Sequence, residues 1–279
     1  MKHVIGRNIP IQQPARKTSG TNVFYHAGEI GDLIYGLYTV KKLGGGIVCV
    51  GKHANIPSGH PRGISEELFE FTIPLLEAQP YIADVRWTEQ TPKEVTHDLN
   101  IFREFWYGQK VKSALHDLGY QKPYSLAAMQ AAAFRIKLDD TEPWIAPVIR
   151  NGLKRFKVIF SRSERYTNDD FPWPEIVRRY GEHAGFVGLD SEYDLFCSSF
   201  GQVERAQVSS IADISSYLSS AELFVGNQSS PNAVALGMGY GNEKWLIQEV
   251  NTNYWPIGFD CKFNRPKAIY CYNCVIPEL

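Results

Sequence analysis

The sequence predicts an α/β protein made of two units with mostly parallel sheets. Strand patterns alternate with helical patterns from residue 22 to about residue 149, and the alternation resumes from residue 156 to about residue 250. Residues 146–155, which include Pro, Gly and basic side chains, separate the two runs. Because 279 residues are enough for two medium domains, we predict domains at residues 1–150 and 151–279.

The first unit starts with a short apolar strand. We predict this strand at residues 22–25, followed by a turn from Gly28 to Gly31 and then a helix. The helix is indicated by side chains at helical spacing, namely Ile34, Leu37, Tyr38 and Lys41. Glycines at residues 44–46 end the helix, and a second strand follows at residues 47–50.

The second unit begins in the same order. A strand predicted at residues 156–160 leads into a polar loop at residues 161–170 and a helix at residues 174–183. A later strand is predicted at residues 245–247, with Tyr254 and Trp255 in the loop after it. Loops at the carboxyl ends of strands face the crevice of an open α/β sheet, so we assign these two aromatic residues to a cleft.

Residues 221–239 carry the clearest functional signal. An apolar strand at residues 223–225 ends in a polar turn, and Pro231 stands where a first helical residue belongs, with Ser230 as the N-cap. The turn offers backbone N–H groups and hydroxyls at a helix start, where the helix dipole favours negative charge. The pattern predicts an anion site, suited above all to a diphosphate. The alternative is an ordinary strand-to-helix junction.

The same residues resemble the C-terminal signature of the family 9 glycosyltransferases, which include the ADP-heptose-dependent lipopolysaccharide heptosyltransferases. In that family a strand ending in V-G-N leads to D-S-G-P and a helix rich in small residues. The matching positions here are Val225, Gly226, Asn227, Ser229 and Pro231. The chain differs at Gln228, Ser230 and Ala233, where the family has Asp, Gly and His. The resemblance implies that Asn227, Gln228, Ser229 and Ser230 bind the donor, a nucleotide sugar.

A second block, H-A-G-E-I-G-D at residues 26–32, resembles the N-terminal G-D motif of the same family. That motif opens the first helix and faces the cleft, and its Asp is the proposed general base. The resemblance therefore implies this role for Asp32, with His26, Glu29 and Gly31 beside it on the acceptor side. The alternative is that Asp32 is only a first-turn carboxylate stabilised by the helix dipole.

A third block is the polar loop after the strand at residues 156–160 and the W-P-E helix that follows it. It resembles the part of the family that carries a cation near the donor phosphates. Arg162 and Arg165 are the candidates, because a guanidinium can grip phosphate oxygens with two hydrogen bonds. The alternative is a solvated loop. Glu249 follows the strand at residues 245–247 and is expected to accept hydrogen bonds from ribose or sugar hydroxyls.

The resemblance implies a GT-B architecture, in which two Rossmann-like domains face a central cleft. Residues 1–150 would form the acceptor side and residues 151–279 the nucleotide-sugar side. The implied activity is transfer of a sugar from a nucleotide-diphosphate sugar to an acceptor hydroxyl, with inversion and with neither metal nor cofactor. The acceptor is left open between a saccharide, a glycolipid and a hydroxylated base in viral DNA. Two other classes also stay open: a catalytically silent nucleotide-sugar-binding protein, and a nucleic-acid-associated protein whose cleft reads a base.

Composition and net charge narrow the classes of protein that the sequence could encode. No apolar run of about 18 residues and no leader sequence is evident, so we expect a cytoplasmic protein without a transmembrane segment. The net charge of −1 is less basic than is usual for a protein that grips duplex nucleic acid. Five cysteines, an odd number, argue against a disulfide framework. Cys261, Cys271 and Cys274 are either part of a zinc site or reduced thiols.

Overall fold

The computed structural model describes residues 21–51, 64–121, 124–250, 259–260 and 263–271. In this part of the chain, every paired strand lies parallel to its neighbour, and helices pack against two main sheets. The predicted α/β class with mostly parallel sheets is confirmed. None of the described helices is both long enough and apolar enough to cross a membrane.

The first sheet has the strand order β3-β2-β1-β4. Its strands are β1 (Asn22–Ala27), β2 (Gly46–Gly51), β3 (Ile82–Thr88) and β4 (His97–Asp98). The helices of this unit are α1 (Ile30–Lys42), α2 (Glu66–Glu77), a 3-10 helix (Leu99–Arg103), α3 (Glu104–Tyr107), α4 (Lys110–Asp117) and α5 (Leu126–Ala133). The predicted strands and helix of the first unit are present, but α1 begins at Ile30, so Ile30 and Gly31 of the predicted turn are helical.

The glycines between α1 and β2 are required by close backbone contacts. Gly45 and Gly46 have φ of +76° and +155°, and a Cβ would lie 2.0 Å from the carbonyl oxygen of Tyr81 and 2.2 Å from that of Asn22. Because side chains do not fit there, glycine lets the chain turn sharply from the helix into the strand beside β1.

The second sheet has the order β12-β10-β9-β6-β7-β8. Its strands are β6 (Val158–Ser161), β7 (Ala184–Phe186), β8 (Glu204–Arg205), β9 (Leu223–Gly226), β10 (Trp245–Glu249) and β12 (Ala268–Cys271). The helices are α6 (Trp173–Tyr180), a 3-10 helix (Gly181–His183), α7 (Asp190–Phe200), α8 (Ile211–Ser220) and α9 (Ser230–Gly237). A small separate pair joins β5 (Tyr124–Ser125) to β11 (Phe259–Asp260).

One hydrophobic cluster contains residues from both units, because α1 packs against α9 and α2 packs against α8. Trp144, which is 1% exposed, links α1 to α9. Its Nε1 donates to the carbonyl of Ile34 at 2.9 Å, and its backbone N–H donates to the carbonyl of Gly237 at 2.8 Å. The strands of the two main sheets fall on either side of residue 150, whereas the β5–β11 pair crosses it. The domain boundary therefore stays a prediction.

The far end of α9 is held by a buried arginine. Nη1 of Arg265 donates to the carbonyl oxygens of Leu236 at 2.8 Å and Tyr240 at 2.6 Å. Burial lowers the pKa of this guanidinium to about 10, so it remains charged at neutral pH. A cation at the last carbonyls of a helix also complements the helix dipole. Arg265 therefore fixes α9 at its carboxyl end, while the amino end faces α1.

Candidate functional site

Two strand-to-helix junctions, β1–α1 and β9–α9, lie side by side. A Cβ built on Gly31, in the first turn of α1, would lie 3.9 Å from Oγ of Ser230, the first residue of α9. The first amides of a helix have no acceptor within it, and the dipole makes this end positive. The packing of α1 on α9 therefore brings two helix amino ends to one place.

The start of α9 differs by one residue from the prediction. The helix begins at Ser230 rather than after it, Ser229 occupies the N-cap position, and Pro231 is the second helical residue. Proline fits there because that position also needs no intrahelical N–H donor. Oγ of Ser229 donates to the carbonyl of Asn227 at 3.2 Å and makes no capping hydrogen bond. Ser229 and Ser230 are half-buried, and Gln228 is 8% exposed.

Asn227 ties two loops together. Its side chain is fully buried, its Oδ1 accepts from the backbone N–H of Ser163 at 2.9 Å, and its Nδ2 donates to the carbonyl of Ser163 at 2.7 Å. Nδ2 also reaches the carbonyl of Tyr166 at 3.2 Å. The side chain therefore fixes the loop after β6 against the turn after β9.

Arg162 and Glu249 form a buried ion pair, with Nε of the arginine 3.1 Å from Oε2 of the glutamate. Glu249 has no exposed surface and also accepts from the backbone N–H of Asn168 at 2.5 Å and from Nε1 of Trp173 at 2.9 Å. Burial raises the pKa of Glu249, and Arg162 opposes that rise. Through these contacts Glu249 holds the loop after β6 in place, and its carboxylate neutralises the charge of Arg162.

Arg165 stands in a different environment. Its side chain is 44% exposed, and its Nη1 lies 3.3 Å from Oε1 of Glu29, which is 27% exposed. This ion pair joins the loop after β6 to the start of α1, so it crosses between the two units. Exposed ion pairs contribute only about 0–1 kcal/mol. Arg165 can therefore exchange Glu29 for another anion at little cost.

Asp32 lies in the first turn of α1 and is held by residues distant in sequence. Its Oδ2 accepts from Nη2 of Arg103 at 2.8 Å, and its backbone carbonyl accepts from Nε2 of Gln130 at 2.7 Å. Side-chain exposure is 17% for Asp32 and 9% for Arg103. Neither Arg103 nor Gln130 was predicted from the sequence. The one local signal is Gly28, since a Cβ there would lie 2.3 Å from Nη2 of Arg103.

His26 lies beneath the β1–α1 turn with no exposed surface. Its Nε2 is 3.3 Å from the carbonyl oxygen of Glu29, a contact that needs an N–H on that nitrogen. Burial, and secondarily the charge of Arg103, lower the pKa of His26 to about 3. The ring is therefore neutral at physiological pH and supports the turn from below. The structure thus brings His26, Glu29, Gly31 and Asp32 together with the start of α9.

Several predicted residues lie outside the described part of the chain: Tyr254, Trp255, Cys261 and Cys274, together with the side chain of Cys271. Among the described residues, no group of three or more His, Cys, Asp or Glu is arranged to hold a metal ion. A cavity of 320 Å³ lies away from the two junctions, between residues 149–155 and the carboxyl half of α8.

No protein-family model and no curated protein sequence matches the chain. Its fold is similar to that of E. coli heptosyltransferase WaaC with ADP, at 11% identity over 81% of this chain and 86% of that chain, with a TM-score of 0.49. It is also similar to a family 9 glycosyl transferase from Veillonella parvula, at 12% identity over 82% and 81% of the two chains, with a TM-score of 0.46. A third similar structure is the iron-containing dodecameric glycosyltransferase TibC from enterotoxigenic E. coli, at 10% identity over 93% of this chain and 66% of that chain, with a TM-score of 0.46. At these sequence identities, the similarity concerns the backbone fold alone.

Proposed function

We propose that the protein is a glycosyltransferase that moves a sugar from a nucleotide-diphosphate sugar to an acceptor hydroxyl. The observation that carries the proposal is the meeting of two helix amino ends, with Asp32 on one and the Ser229–Ser230 turn on the other. One end offers amides and hydroxyls to a diphosphate, and the other offers a carboxylate to a hydroxyl proton. The motif resemblances at both junctions support the same assignment.

The donor diphosphate would lie against the turn at residues 228–230 and the first amides of α9. Of the two candidate arginines, we assign Arg165 to the phosphates, because it is half-exposed and its ion pair with Glu29 is weak. Arg162 is 11% exposed and its charge is balanced by Glu249. This pair and Asn227 would instead fix the shape of the loop that carries Arg165.

In the proposed reaction, Asp32 takes the proton of the acceptor hydroxyl as its oxygen bonds to the anomeric carbon. The bond from that carbon to the diphosphate oxygen breaks on the opposite face, which inverts the configuration. The negative charge that develops on the diphosphate is stabilised by the α9 amides, the helix dipole and Arg165. No metal ion is needed in this scheme. The two units would act as the two Rossmann-like domains of a GT-B enzyme, with the acceptor on the side of residues 1–150.

One observation favours a second candidate, a catalytically silent nucleotide-sugar-binding protein. The carboxylate assigned as the base is already engaged by Arg103 in an ion pair with little exposure. Such a protein would keep the donor turn and would neither transfer nor hydrolyse the donor. Measurable transfer, or slow hydrolysis of a bound nucleotide sugar by the wild-type chain, decides against it.

The first experiment is a thermal-shift panel of nucleoside diphosphates, their sugars and the matching nucleosides. A ligand that binds only the folded state stabilises it by about 2.7 kcal/mol at one hundred times its dissociation constant. We expect a shift with at least one diphosphate and a much smaller shift with its nucleoside. Donors that bind are then tested for transfer to saccharides, glycolipids and DNA containing hydroxylated bases, which separates the acceptor classes.

The turn itself is tested by Ser229→Asp. The new carboxylate would compete for the amides at the start of α9 and repel a diphosphate, whereas in the free protein it would change stability by at most about 1 kcal/mol. We expect calorimetry to show loss of nucleotide-sugar binding in a folded variant. Unchanged binding would mean that the turn is only a structural junction and that no donor lies there. Ser219→Asp, in the carboxyl half of α8 and away from both junctions, is the control for an added carboxylate.

A further inference from the structure

We propose that Arg103 is the positioning residue for Asp32: its guanidinium fixes the carboxylate at the start of α1 in the orientation that proton transfer requires. The inference rests on the proposed function, in which Asp32 is the general base. Arg103 ends the 3-10 helix at residues 99–103 and stands 71 residues from Asp32 in sequence, so the fold alone brings the two together.

The turn between β1 and α1 has a gap that the guanidinium fills. Gly28 has a φ of +129°, and a Cβ there would come within 2.3 Å of Nη2 of Arg103 and 3.3 Å of its Cζ. No larger residue is compatible with the guanidinium at this place. The same nitrogen reaches Oδ2 of Asp32 at 2.8 Å and lies 3.5 Å from the carbonyl oxygen of Ala27. The side chain therefore enters the turn and binds both the base and the strand before it.

A second side chain holds the main chain of Asp32 in the same way. Gln130, on α5 and 98 residues away, donates from Nε2 to the carbonyl oxygen of Asp32 at 2.7 Å. A Cβ on Gly36, one helical turn further along α1, would lie 2.6 Å from Oε1 of Gln130. Two glycines of this segment thus admit two distant polar side chains, and both side chains end on Asp32. Stabilisation of a helix start does not require such an arrangement, since its own dipole already favours a first-turn carboxylate.

The burial of Arg103 also supports a positioning role. Arg103 is 7% exposed and rests on the ring of Phe102, with its Cζ 4.9 Å from the ring centroid. Its Nε has no hydrogen-bond partner among the described residues. A buried ion pair with an unsatisfied donor contributes little to folding, because desolvation offsets the attraction. Orientation of the base is what such a pair supplies, and a carboxylate misplaced by about 1 Å can lower a rate about 100-fold.

The inference is tested with a double-mutant cycle in the full chain, using the transfer or donor-hydrolysis assay. We expect Arg103→Gln to lower kcat about 10- to 100-fold while the donor KM changes less than about threefold. Arg103→Lys should restore part of the loss, because it keeps the charge but not the geometry of the guanidinium. In the Asp32→Asn background, Arg103→Gln should lower kcat by less than about twofold more, because a residue that acts through Asp32 has nothing left to orient.

Equal losses from Arg103→Gln in both backgrounds would overturn the inference, since Arg103 would then act on substrate directly. Unchanged kcat in a folded Arg103→Gln variant would overturn it as well. The proposed function fails in a different way: Asp32→Asn alone would then leave turnover near normal.

A steric test covers the case in which the buried arginine cannot be replaced without unfolding. Gly28→Ala keeps every charge and forces the guanidinium away from Asp32, and Gly44→Ala is its control. Gly44 also has a positive φ, +90°, but has nothing within 4 Å of an added Cβ, so that variant carries backbone strain without the collision. We expect Gly28→Ala to lower kcat about 10-fold or more relative to Gly44→Ala. Equal kcat in the two folded variants would overturn the inference.

Discussion

The two junctions that meet at the site are alike in sequence pattern and differ in the part of the chain that the proposed function assigns to the substrates. At β9–α9, the buried side chain of Asn227 binds the neighbouring loop, and in the proposed function the ligand meets the amides and hydroxyls of residues 228–230. At β1–α1, the assigned group is a side chain, Asp32, and it is held by Arg103 and Gln130 from other elements. A backbone site can be built from a local turn, whereas an oriented side chain needs partners that only the tertiary fold supplies.

The largest effect should come from removing the side-chain function of the β1–α1 junction. Asp32→Asn preserves shape and removes basicity, so we expect turnover to fall by roughly two to four orders of magnitude while donor affinity is kept. Steady-state kinetics and calorimetry on the same preparation measure both quantities. Near-normal turnover would remove Asp32 from the mechanism and make the two junctions equivalent. Glu29→Gln, which removes the neighbouring carboxylate, is the control and should change turnover less than about tenfold, which is below the range of a general-base effect.

The next effect separates the two arginines of the loop after β6. Arg162→Met leaves Glu249 buried without its cation, and we expect the free energy of unfolding to fall by about 3–5 kcal/mol. Arg165→Ala, which removes a half-exposed side chain of the same loop, should change it by less than about 1 kcal/mol. Denaturant unfolding measures both. Adding Glu249→Gln to Arg162→Met should recover much of the loss. Equal stability of the two single variants would contradict the structural role assigned to Arg162.

Removal of Arg165 should instead have its main effect on ligand affinity. Because a charge-assisted hydrogen bond contributes about 1.5–3 kcal/mol, Arg165→Ala should weaken a nucleoside diphosphate about 10- to 100-fold. The matching nucleoside, which lacks the charge, should bind as before. Isothermal titration of both ligands provides the comparison. Equal losses for the two ligands, or none for either, would indicate that the loop is merely solvated.

The sequence predicted what is encoded locally. The strand, turn and helix at both junctions follow from apolar runs and turn residues within about ten positions. β1, α1, β9 and α9 lie where such patterns put them, except that α1 begins at Ile30, inside the predicted turn. Ser229 instead of Ser230 at the N-cap is an error of one residue, because Pro231 suits either of the first two helical positions. Arg103 was not predicted, since nothing near it in sequence indicates a contact with Asp32.

The pairing of Arg162 with Glu249 spans 87 residues and was missed for the same reason. The sequence analysis assigns both residues to the donor as separate groups, Arg162 from the family resemblance and Glu249 from its place after a strand. Their contact changes the assignment because Glu249 already accepts from Arg162 and from two further donors, and the charge of Arg162 is balanced by Glu249. Sequence position places Arg162 in the loop after β6 and Glu249 at a strand end, whereas the contacts that each side chain makes there depend on burial. Burial of a charged side chain is a property of the whole packing, which no local pattern encodes.

The smallest effect concerns the neutral histidine under the β1–α1 turn, which has no counterpart at β9–α9. Burial lowers the pKa of His26 to about 3 in the folded chain, whereas the imidazole of the unfolded chain has a pKa of about 6.5. Between these two pH values, the unfolded chain binds a proton at His26 and the folded chain does not. Stability is therefore lost as the pH falls below 6.5. Between pH 7.5 and 5.5, this single group should lower the free energy of unfolding by about 1.4 kcal/mol. His26→Asn should abolish that part of the pH dependence, as measured by urea unfolding at the two pH values.

His116→Asn, at a side chain that is 90% exposed, is the control and should keep the wild-type pH dependence. If His26→Asn and the wild type lost equal stability over this range, the imidazole would be taking up its proton in the folded state, and the turn before α1 would not rest on a neutral ring.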